Sequence, residues 1–188
     1  MIDPYQLQDY FELPPAELEH LSRKFSPLQL AKGEHFLRQG SYRPRMAFVR
    51  TGYLRILTEI HGKEVTQWIA LPGYLVTDLA ALVYDQPARF TITALTDCEM
   101  SVISAADYAG LAREIPGWSR AERGFLAHCF VTLENRVLSF LSMTARQRYE
   151  SFFADHPELF NAVPLQYLAS MLGMTPETLS RIRADLAS

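Results

Sequence analysis

The chain has 188 residues, 48% hydrophobic and 21% charged, which is enough apolar side chain for a packed core in one large or two small domains. Its net charge is −3, with 18 Lys and Arg against 21 Asp and Glu, so bulk positive charge cannot be its means of binding nucleic acid. No apolar run reaches about 18 residues and the start, Met1-Ile2-Asp3-Pro4, is not a basic-then-apolar leader, so neither a membrane span nor a secretory signal is expected. The two cysteines, Cys98 and Cys129, lack a C-x-x-C spacing, and a reducing, cytoplasmic setting is the default expectation.

Residues 4–23 read as helical, with Pro14-Pro15 opening a helix whose apolar side holds Leu18 and Leu21. From Phe25 to about Ser104 the pattern changes to short β runs: 25–30, 35–38, 46–50, 53–59, 64–71, 90–94 and 98–103. Turn signals separate them at Lys32-Gly33-Glu34, Gln39-Gly40-Ser41, Thr51-Gly52, His61-Gly62-Lys63 and Pro72-Gly73, a rhythm that predicts a sandwich or barrel. Ser104 caps a short helix that Pro116-Gly117 ends. Trp118 to about Thr144 then predicts one long helix, with Leu126, Phe130, Leu133, Val137, Phe140 and Leu141 on one stripe. The stripe exceeds what a small barrel covers, so we expect a two-fold dimer seam through Leu126, Phe130, Leu133, Val137 and Phe140. A second helix runs from Arg146 to Phe153 and stops at His156-Pro157.

The chain closes on a helical pair. Leu165, Leu168 and Leu172 line one side of the first helix, and Ala169 allows close crossing. Gly173 sits where the turn needs a positive φ. Thr175 is an N-cap followed by Pro176 at the first helical position, and Leu179, Ile182 and Leu186 are expected to face inward. Pro176, Glu177, Ser180, Arg181 and Arg183 then face solvent. These spacings are those of a DNA-binding helix–turn–helix, though an ordinary αα-hairpin shares most of them. The region from Arg146 on holds four arginines, no lysine and five acids, so its charge is local rather than general.

Ordered together, these pieces resemble the CRP/FNR family of transcription regulators. Lys32-Gly33-Glu34 with Gly40, then Phe48-Val49, Gly52 and Leu54, is similar to the family's cyclic-nucleotide-binding jelly roll. Pro72-Gly73 through Thr77-Asp78-Leu79 is similar to its phosphate-binding cassette, and Thr175, Glu177-Thr178 and Ser180-Arg181-Ile182 to its recognition helix. The resemblance implies an α+β fold: an N-terminal β jelly roll with flanking helices (1–117), a long dimerisation helix (118–144) and a C-terminal all-α helix–turn–helix (145–188). It implies a homodimer on a palindromic double-stranded DNA operator, with RNA polymerase and a small-molecule effector as further partners. Glu177 and Arg181 match base-contacting positions, and Pro176 stands where a basic DNA-contacting residue is common. Thr175 and Ser180 suit phosphate contacts, with Arg183 beside them.

Two departures shape the expectation. The effector pocket would draw on Gly73, Thr77, Asp78, Leu79, Arg89 and Phe90. Thr77 replaces the glycine that lets backbone approach phosphate, Asp78 is shorter than the ribose-binding glutamate, and bulky Phe90 follows Arg89. Cyclic AMP is therefore not the expected effector, and no cofactor is expected. Only Ala187-Ser188 follow Leu186, which predicts that the usual β-hairpin wing is lacking. A sensor or interaction module that has lost DNA binding is a second reading. A cupin-type metal enzyme is a third, but none of His20, His35, His61, His128 and His156 share ligand spacing, so no metal and no catalytic residues are assigned.

Overall fold

The computed structural model describes residues 2–187. Two short helices, α1 (Pro4–Gln8) and α2 (Pro15–Arg23), precede strands β1 (Ser26–Leu30), β2 (His35–Leu37), β3 (Arg45–Thr51), β4 (Leu54–Ile60), β5 (Lys63–Ala70) and β6 (Leu75–Val76). Helix α3 (Leu79–Tyr84), strands β7 (Thr91–Ala94) and β8 (Cys98–Ser104) and helix α4 (Ala105–Glu114) complete the first part. The rest is helical: α5 (Trp118–Ser142), α6 (Ala145–Asp155), α7 (Leu159–Ala162), α8 (Leu165–Met171) and α9 (Pro176–Ala187).

The strands form two four-stranded antiparallel sheets, ordered β1-β8-β3-β6 and β2-β7-β4-β5, that close face to face as a jelly roll. Alternation explains which residues go where. In β3, Ala47 and Val49 point into the barrel, while Met46 and Phe48 point outward and are covered by helices. A strand covered on both faces reads as an unbroken apolar run, as 46–49 does. At the turn after β3, Gly52 adopts φ +84, and an added Cβ would lie 2.6 Å from the Cys98 Sγ.

Three apolar cores follow. One lies between the barrel and α1, α2, α4 and the start of α5, where Trp118 meets Phe11 at 5.0 Å and Tyr108 edge-on at 5.4 Å. A second fills the barrel. The third joins α6 to α9 and also takes Ile69 from the end of β5 and Leu71 just after it, so the C-terminal helices are seated on the barrel itself. Helix starts agree with local chemistry: the Ser104 hydroxyl accepts from Asp107 N–H, and Thr144 and Gln147 make a reciprocal capping box.

The helices and strands expected from the sequence are present, with three additions and one correction. Strand β6 and helix α3 fall within and just after the 72–79 cassette stretch, and helix α7 precedes Pro164; the sequence pattern predicts none of the three. Leu186, expected to be buried, is 44% exposed, because the third core ends at Ile182, one turn before it. The expected lack of a wing concerns the segment beyond Leu186, where Ser188 lies outside the described residues.

Candidate functional site

Helices α8 and α9 are held by their inner faces. Leu168, Ala169 and Leu179 are fully buried against Tyr149, Leu159 and Phe160. Gly173 makes the turn at φ +65, and a Cβ there would fall 2.6 Å from the Phe140 ring. The Thr175 hydroxyl accepts from Thr178 N–H at 3.2 Å, which caps α9 and leads into Pro176. Outward stand Pro176, Glu177, Ser180 and Arg181, all exposed, with Arg183 half-buried beside them. The Glu177 backbone N–H and the Thr175 hydroxyl, with Arg181 as a smaller influence, hold the Glu177 carboxyl below the usual carboxylate range. It is therefore an anionic acceptor at neutral pH.

Arginines fix this pair of helices to the rest of the chain. The Arg55 guanidinium lies 3.8 Å from the centre of the Tyr167 ring, donates to Thr66 Oγ1 at 2.9 Å and pairs with Glu64 at 2.6 Å. Thr66 N–H donates to Ser170 Oγ at 2.9 Å, a direct link from β5 to α8. From α5, Arg136 donates to the Met171 carbonyl at 2.8 Å. From α6, Arg148 donates to the Leu172 carbonyl at 2.9 Å. Both serve the orphan carbonyls at the end of α8, where a positive charge also complements the helix dipole. Burial lowers the Arg136 pKa to about 10, which leaves it charged at neutral pH. Sequence reading missed these three arginines. The signal for Arg136 was a lone cation inside the apolar run of α5.

The stripe expected on α5 is divided by the structure. Leu126 is half-buried and packs on the first core, and Phe140 touches Arg136 and Arg148 with its ring. Phe130, Leu133 and Val137 are 62%, 47% and 56% exposed, with Leu138 and Leu141 on the adjoining turns.

The six cassette residues do not converge on one cavity. A cavity of about 450 Å³ opens between the barrel and α5, walled by Ile56, Trp68 and Val76 on one side and Phe125, Cys129 and Leu133 on the other. Of the six, only Thr77 lines it, and its hydroxyl donates to the Arg45 carbonyl at 3.0 Å. The Gly73 carbonyl accepts from the Tyr10 hydroxyl at 2.7 Å. Asp78 is buried and fully engaged: it caps α3 through the Ala80 and Ala81 N–H groups, accepts from Arg89 N–H at 2.6 Å and pairs with the Arg89 guanidinium at 3.6 Å. Leu79 packs toward the first core and Phe90 toward the barrel core. The sequence did not mark Gln67, Trp68, Cys129 or Thr132, all of which line the cavity. Among the described residues no group of three or more His, Cys, Asp and Glu is arranged to hold a metal ion, and no helix is long and apolar enough to cross a membrane.

Residues 27–114 match the cyclic nucleotide-binding domain family. No curated protein matches the chain in sequence. Among solved structures, the chain is similar to the catabolite activator protein of Thermus thermophilus, with 24% identity and a TM-score of 0.59 over 98% of this chain and 87% of that one. It is also similar to CLP of Xanthomonas campestris, described as a c-di-GMP responsive global regulator, with 15% identity and a TM-score of 0.70 over 93% and 92%. FixK2 of Bradyrhizobium japonicum gives 20% identity and a TM-score of 0.65 over 87% and 84%. These neighbours are CRP/FNR-family regulators, and what this chain shares with them is the fold, from jelly roll through long helix to C-terminal helices.

Proposed function

We propose that this chain, with a cyclic nucleotide-binding domain at 27–114 in a CRP/FNR-type fold, is a homodimeric, sequence-specific DNA-binding transcription regulator of the cytoplasm. The observation that carries this is α9. Its apolar face is fixed in the third core, while Glu177, Ser180 and Arg181 stand together, exposed, on the opposite face. Packing needs only polar residues there. An arginine that can pair with guanine O6 and N7, and a carboxylate that can accept from cytosine N4, are what major-groove reading needs. In a two-fold dimer through Phe130, Leu133 and Val137, two such helices would meet half-sites about one helical turn apart. The cavity between barrel and α5 is then the sensory site, because α5 is also the element that leads to α6 and the reader.

The test is selection of an operator from random DNA with the whole protein. Arg181→Ala should cost about 1–3 kcal/mol of discrimination at a single base pair and leave the others unchanged. Unaltered specificity would assign α9 to packing and favour a sensor that does not read DNA. Leu133→Glu should yield folded monomers in sedimentation, and a surviving dimer would place the seam elsewhere.

A further inference from the structure

The effector class follows from the walls of the cavity, on the reading that this cavity is the sensory site. Among the described residues, no Asp, Glu, Lys or Arg lines it; His128 is the one basic side chain in the lining, and the Arg136 guanidinium, 4.8 Å from the centre of the Trp68 ring, lies outside it and is engaged by the Met171 carbonyl. A cyclic phosphate carries a full negative charge, and taking it out of water calls for a guanidinium or ammonium aimed at it or for converging N–H groups, neither of which the lining supplies. The one cassette arginine, Arg89, has a side chain 61% exposed and paired with Asp78, and it is not part of the lining.

What the cavity does offer is aromatic surface with a few polar groups. Tyr10, Trp68, Tyr74 and Phe125 present ring faces and edges, in a volume within the roughly 300–1,000 Å³ that suits small ligands. The polar groups are placed by a specific backbone device. In the β4–β5 ladder Ile56 pairs with Trp68 and Leu57 with Thr66, so Gln67 is the extra residue of a β-bulge. The bulge breaks the alternation of β5, and the consecutive Gln67 and Trp68 both reach the cavity. The half-buried Gln67 amide has no hydrogen-bond partner within the described chain, so its carbonyl and NH2 are both unused. Across the cavity, the Thr132 hydroxyl donates to the His128 carbonyl at 2.9 Å and keeps its lone pairs free to accept.

We propose that this cavity binds an uncharged, planar aromatic small molecule, stacked among Trp68, Tyr74 and Phe125 and held at one polar end by the Gln67 amide and Thr132 hydroxyl.

The neutral dye N-phenyl-1-naphthylamine, titrated into the whole protein, tests this. Binding is read from the rise in the dye's own emission. Cyclic AMP in large excess should not displace the dye. Thr132→Trp, which fills the cavity from α5, should weaken dye binding by about tenfold or more, a loss of about 1.4 kcal/mol. Gln67→Lys, which brings a cation to the cavity, should reverse the preference from the neutral dye to the anionic 8-anilinonaphthalene-1-sulfonate. Displacement by cyclic AMP, or a Gln67→Lys protein with unchanged preference, would overturn the proposal. So would dye binding that survives Thr132→Trp and disappears in Leu141→Ser, since that result places the dye on the exposed stripe of α5. Operator binding is read separately. A protein that takes the dye in the cavity and selects no DNA keeps this inference and loses the regulator reading; a DNA reader that ignores the dye does the reverse.

Discussion

In the first turns of α5, Trp118, Ala121 and Phe125 are sealed among Phe11, Tyr108 and Leu111; farther along the same helix, Phe130, Val137 and Leu141 are 62%, 56% and 79% exposed. The side chains are of the same kind and recur with the same helical period. What differs is the cover. Helices α1, α2 and α4 wrap the first part, whereas the second is engaged on the side toward β5, α6 and α8, through Arg136 and Phe140, and leaves its other side exposed. Periodicity identifies an apolar face but not the element that closes over it. A face left open after the chain has folded is available to a second copy.

Unfolding experiments can break that contrast. Trp118→Ala should cost about 3–5 kcal/mol in urea, since it empties the centre of the first core. A much smaller loss would mean that the start of α5 is not anchored as described. Gly173→Ala should cost about 1 kcal/mol or more, from positive φ and from crowding the Phe140 ring; calorimetry of both proteins reads it. Tyr10 stands at the border between the two parts, edge-on to Phe125 at 6.1 Å. Burial raises its phenol pKa from 10.0 to about 12, so the folded chain keeps its proton longer than the unfolded one. The linked stability is complete below the unfolded value and lost as pH rises through the folded one. Tyr10→Phe should cost about 1 kcal/mol at neutral pH, for the bond to the Gly73 carbonyl, and should make the fall in stability between pH 10 and about 12 shallower, the raised phenols of Tyr74 and Tyr108 supplying the rest. The smallest effect is expected at Phe130→Ala in a monomeric Leu133→Glu background. Its unfolding free energy should stay within about 0.5 kcal/mol of the parent. A larger loss would show that the monomer itself uses the second part of α5.

Local chemistry made much of the fold legible in advance. Gly and Pro marked the turns between strands, Ser104 its cap, and the spacing from Leu168 through Gly173 to Ile182 the helical pair. The inner positions of that pair depend only on neighbours within α8 and α9, and Leu168, Ala169, Leu179 and Ile182 are indeed buried. Leu186 failed because its burial depends on how far the third core extends, which helical period does not encode. The cassette was the least legible part. Asp78 matches a ligand acceptor in sequence, yet Arg89 N–H and the start of α3 take both of its oxygens, partners brought together only when the segment after α3 folds back. Gln67 carried no signal at all, because a bulge arises from the register of two strands and not from either strand alone.

Strand β5 has two clients. Past the bulge, Trp68 and Ala70 face the barrel core and the cavity, while Ile69 and Leu71 enter the core shared with α6 to α9, and Thr66 N–H is tied to Ser170. Cavity and helical pair thus draw on neighbouring side chains of the same strand. A register shift of one residue would exchange the two sets of side chains and spoil both surfaces together. The partition therefore cannot be remodelled on one side alone. A substitution that reshapes the cavity at 68 or 70 presses on the seat of α8, and one that loosens that seat at 69 or 71 alters the cavity.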